Sequence, residues 1–73
     1  MSPSLPIVSG NQVIRALGRV GFDAVSQAGS HVKLRNPDGR TVIVPLHRDI
    51  APGTLRSILK QADLTVSGFL ELL

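Results

Sequence analysis

The stretch Gly29-Ser30-His31-Val32-Lys33-Leu34-Arg35 alternates apolar residues with an imidazole, an ammonium and a guanidinium. In an extended chain, alternate side chains share a face about 6.6 Å apart, so His31, Lys33 and Arg35 form one row and Val32 and Leu34 face the other way. Such a row suits a phosphodiester. Imidazole, with an ordinary pKa of about 6.5, takes and returns a proton near neutrality. Two cations can hold phosphate oxygens and offset the charge that develops on them. In RNA the adjacent 2′-hydroxyl is an internal nucleophile, so a general base plus charge stabilisation suffices without metal-activated water. The solvated face of an antiparallel strand has the same composition, and alternation alone does not separate the two readings.

Pro52-Gly53-Thr54 is a second candidate anion site, where the unpaired N–H groups and dipole of a helix start attract negative charge and Arg56 and Lys60 add cations. Ordinary helix capping beside two exposed cations accounts for the same residues. Arg15 and Arg19, four apart, read as a solubilising helix face. The phosphate-loop, zinc-ligand and serine-triad patterns are absent from the sequence. With no Cys, two His and five acidic residues, there is no disulfide or thiolate site and little from which to build a zinc cage. No metal and no cofactor are expected.

Composition bounds the partner. Eight Lys and Arg against five Asp and Glu give a formal net charge of +3, and the sequence pI is near 10.7. That balance favours a polyanion, either nucleic acid or an acidic protein surface. Phe22 and Phe69 are the only aromatic residues, too few to read splayed bases by stacking, so nucleic-acid contacts should run to the backbone. The amino end does not resemble a signal peptide, and no stretch approaches the roughly 20 apolar residues of a membrane span. A cytoplasmic location without membrane contact is the expectation.

Seventy-three residues support one core and one domain. Pro3 and Pro6 predict an extended segment over residues 1–8, leaving one domain over residues 9–73. Ser9 and Gln12 have capping-box spacing, Val13, Ile14, Leu17 and Val20 fall on one side of a first helix, and Gly21 suits its left-handed end. Phe22 should pack back on Leu17. Strands follow over residues 22–28, 31–36 and 41–46, with turns at Gly29-Ser30 and Asn36-Pro37-Asp38-Gly39. Pairing Leu34 with Val42 and Val32 with Val44 makes one hairpin face wholly apolar. In that register His31 lies opposite Pro45, and His47 falls diagonal to it at roughly 7 to 8 Å. There His47 could donate a second proton or bind charge, or be a loop histidine bonded to backbone. A second helix carries Leu55, Ile58, Leu59 and Ala62 against the sheet, and Thr65 caps a short last helix with Phe69, Leu70, Leu72 and Leu73 apolar. The class is α+β: helix, three-stranded antiparallel sheet, helix, helical tail.

Several motifs together resemble the HicA toxins of bacterial toxin-antitoxin pairs. They are Leu5-Pro6-Ile7-Val8-Ser9-Gly10, Gly21-Phe22, Gly29-Ser30-His31, Pro37-Asp38-Gly39-Arg40, Val44-Pro45-Leu46-His47, and the run from Pro52 to Ala62, covering nearly the whole chain. The resemblance implies a fold like that of double-stranded RNA-binding domains, an endoribonuclease acting on messenger RNA, His31 as the catalytic residue, and a HicB-type antitoxin covering the active face. Ser30, Lys33, Arg35, His47, Thr54, Arg56 and Lys60 form the expected RNA-contacting set. Two positions depart from the pattern. Val32 stands where many members carry a second histidine, and Asp63 stands where a glycine often follows the second helix, which suggests a different helix end. Competing with the nuclease are a non-catalytic module binding double-stranded RNA and a domain that only contacts protein.

Overall fold

A computed structural model describes residues 4–73. The part of the expected extended segment at residues 1–3 lies outside the described residues, and residues 4–9 contain no helix or strand. The order is α1 (Gly10–Gly18), β1 (Asp23–Ala28), β2 (His31–Arg35), β3 (Thr41–Pro45), α2 (Pro52–Gln61) and α3 (Val66–Leu72). This is the expected α+β layout. The strands form one antiparallel sheet in the order β1-β2-β3.

Ser9 opens α1 with a reciprocal box: its Oγ accepts from the Gln12 N–H at 3.1 Å, and Gln12 Oε1 accepts from the Ser9 N–H at 2.8 Å. Val13, Ala16 and Leu17 are buried and Ile14 is half-buried. Val20, expected on the same stripe, is 42% exposed. The helix has already ended at Gly18, and Gly21 at φ 92° reverses the chain while Phe22 N donates to the Leu17 carbonyl at 3.1 Å. This closure turns Val20 outward and buries Phe22, as expected for a residue folding back on Leu17.

The register of β2 with β3 pairs Leu34 with Val42, Val32 with Val44 and His31 with Pro45. All four residues of the first two pairs are buried, and they share a core with Leu17, Leu55, Ile58, Leu59 and Phe69. Both α1 and α2 contact β3, so the helices lie on the face that carries these side chains. β1 is exposed along its whole length and bulged between Ala24 and Ser26, so the helical layer leaves both its faces to solvent. Val8 is buried, and its carbonyl accepts from Ile50 N at 2.9 Å, which ties the chain before α1 to the loop before α2.

α2 begins after Ala51 with no side-chain cap and with Pro52 in its first turn, so Thr54 is an exposed helical residue and not a cap. Its far end closes with Asp63 at φ 58°, Leu64 N donating to the Leu59 carbonyl at 2.9 Å. The different helix end suggested by Asp63 is therefore not found. Aspartate takes the left-handed position that glycine occupies more easily. Thr65 caps α3 through its Oγ1, 3.0 Å from Gly68 N. Phe69 is fully buried, whereas Leu73 is 50% exposed.

Candidate functional site

Sheet pairing fixes the row. Gly29, at φ 57°, supplies the positive φ of a two-residue turn between Ala28 and His31, which are paired, so His31 is the first residue of its strand. His31 and Arg35 are exposed and Lys33 is half-buried, while the residues between them, Val32 and Leu34, are buried. Lys33 is flanked in register by Ser26 of β1 and Ile43 of β3. Arg35 Nε donates to Thr41 Oγ1 at 3.4 Å, a long bond that draws the guanidinium toward β3.

His47 joins this face. The ladder continues past Pro45, with Leu46 N donating to the Ser30 carbonyl at 2.6 Å. The His31 and His47 ring centroids are 6.4 Å apart, with an interplanar angle of 69°. That is slightly closer than the diagonal of a regular strand pair. Both histidines are exposed. Arg48, next in the chain, is also exposed, a cation that the alternation of β2 could not point to.

The remaining expected residues fall elsewhere. Thr54, Arg56 and Lys60 are exposed on α2, whose buried face of Leu55, Ile58 and Leu59 packs on the opposite side of the sheet from the row. The end of α2 reaches the free edge of β3, where Gln61 Oε1 accepts from Ile43 N at 3.3 Å and the Gln61 carbonyl accepts from Arg40 Nη1 at 3.2 Å. The candidate residues thus divide into a sheet group of Ser30, His31, Lys33, Arg35 and His47 and a helix group of Thr54, Arg56 and Lys60. Among the described residues, no three His, Asp or Glu side chains are grouped so that they could hold a metal ion. None of the helices described is long and apolar enough to cross a membrane.

The chain is a small α+β domain whose open sheet face carries two imidazoles and the cations Lys33 and Arg35, backed by helices on its other side. The family model for the HicA toxin of bacterial toxin-antitoxin systems matches residues 10–64, and the chain belongs to that family. Membership brings a toxin's role and a cognate antitoxin as partner. No curated protein matches the chain in sequence.

Proposed function

We propose that this toxin is a metal-independent endoribonuclease that cleaves messenger RNA, with His31 as the general base, and that a HicB-type antitoxin inhibits it. The observation that carries the reading is the exposure of His31 in one row with Lys33 and Arg35, in a chain of the HicA family. His31 takes the proton of a 2′-hydroxyl, and the 2′-oxygen attacks the neighbouring phosphorus. Lys33 and Arg35 neutralise the charge gathering on the non-bridging oxygens. Ser30, at the turn, and His47 complete the sheet-side contacts. Thr54, Arg56 and Lys60 hold the backbone of the same RNA where it passes α2, away from the scissile bond.

The test is to incubate labelled messenger RNA with parent and His31→Ala protein in EDTA. Cleavage by the parent, together with RNA binding but no cleavage by the variant, is expected. A salt-sensitive mobility shift without cleavage by the parent would replace the enzyme with a double-stranded RNA-binding module. Cutting by His31→Ala at the parental rate would remove His31 from the chemistry.

A further inference from the structure

The backbone on both sides of the His47 imidazole is fastened. Leu46 N donates to the Ser30 carbonyl at 2.6 Å, and Gly10 N, in the first turn of α1, donates to the His47 carbonyl at 2.9 Å. Gly10 is buried, and a Cβ built on it would overlap the Pro45 carbonyl oxygen and crowd Leu46 Cα. The start of α1 can seat against this segment only because residue 10 has no side chain. Two chain segments distant in sequence thus fix the backbone that carries the His47 ring, whose centroid lies 6.4 Å from that of His31.

We propose that His47 is the general acid that partners His31, and that Gly10 is the residue that positions it; the proposal rests on the endoribonuclease reading. His31 removes the 2′-hydroxyl proton, the 2′-oxygen forms a bond to phosphorus, and the bond from phosphorus to the 5′-oxygen breaks. The His47 imidazolium gives its proton to that departing oxygen. The products are a 2′,3′-cyclic phosphate and a 5′-hydroxyl, and exchange with water returns both histidines to their starting forms. Proton transfer needs hydrogen-bond reach of about 2.6–3.2 Å, so two rings at this separation can serve different oxygens of one phosphodiester lying between them. An ammonium or guanidinium releases a proton far less readily than an imidazolium, which leaves Lys33 and Arg35 to act as charge.

The experiment compares ordinary RNA with RNA whose bridging 5′-oxygen at the cleavage site is replaced by sulfur, because a thiolate departs without needing a proton. His47→Ala should cut ordinary RNA about 100-fold or more slower than the parent, yet cut the sulfur-bridged RNA at close to the parental rate. Gly10→Ala should show the same rescue on a smaller loss, and His31→Ala should stay slow on both substrates. Equal loss of both substrates by His47→Ala would make His47 a charge-binding or structural residue, and no loss would make it a bystander. Rescue of His31→Ala alone would reverse the two roles. Each of these outcomes overturns the assignment while leaving the nuclease intact, whereas a parent protein that cuts neither substrate overturns the nuclease reading itself.

Discussion

His31 stands outside the core. It is exposed at the start of β2, and the neighbouring positions that carry the core are Val32 and Leu34. His31→Ala should therefore change unfolding free energy by no more than about 0.5 kcal/mol, the usual range for a surface substitution. Urea unfolding of parent and variant checks this, and a loss of several kcal/mol would show that His31 is structural. Val32 illustrates the same geometry from the other side. It pairs with buried Val44 and is only 6% exposed, so a second histidine there would face the core rather than the row. The sheet face still carries a second imidazole, that of His47 on the neighbouring strand's extension.

At the scale of elements, Asp63 ends α2 with φ 58°, a conformation that disfavours every residue with a side chain except, in part, Asn and Asp. Asp63→Gly should stabilise the protein by about 0.5–1 kcal/mol, the relief of left-handed strain less the added freedom of the unfolded glycine. Thermal denaturation measures it, and a lower midpoint would mean that the Asp63 side chain supports the turn. The elements themselves were largely legible. Apolar alternation in Val32, Leu34, Val42 and Val44 left one register that buries all four, and Ser9 with Gln12 announced α1. Less was readable where tertiary contacts decide. β1 has no covered face, so its sequence shows no alternation to find. Val20 continues the spacing of α1 but lies in the turn that closes it, past the last helical residue. Proximity of His47 to His31 followed from extending the register, whereas the seating of Gly10 against Pro45 and Leu46 joins residues about 35 apart in the chain and leaves no periodic signal.

Over the whole molecule, the cations fall on two sides of a thin sheet domain, Lys33 and Arg35 on the open face and Arg56 and Lys60 on α2. If one RNA touches both, each group contributes an independent phosphate contact. Lys33→Ala and Arg56→Ala should each lower the salt-dependence slope of RNA binding by about one unit, with no change in sequence preference. An unaltered slope in Arg56→Ala alone would restrict the RNA to the sheet face.

The antitoxin poses the same problem with different constraints. On the endoribonuclease proposal it denies RNA access to His31 and His47, and a protein does so most directly by laying carboxylates or hydrogen-bond acceptors over His31, Lys33 and Arg35, since complementary charge both steers encounter and selects that face. Association should therefore slow as salt rises, and Lys33→Ala with Arg35→Ala should slow it further at low salt while leaving dissociation less affected. Stopped-flow mixing with the cognate antitoxin over a salt series measures both rates. Because Ile43 is partly exposed between these cations and the free edge of β3, an occluding surface there has an apolar residue to cover as well as charge to match. A complex in which His31, Lys33 and Arg35 remain open to solvent would rule out direct occlusion and point to an allosteric route, and an association rate indifferent to salt would remove charge complementarity from the recognition.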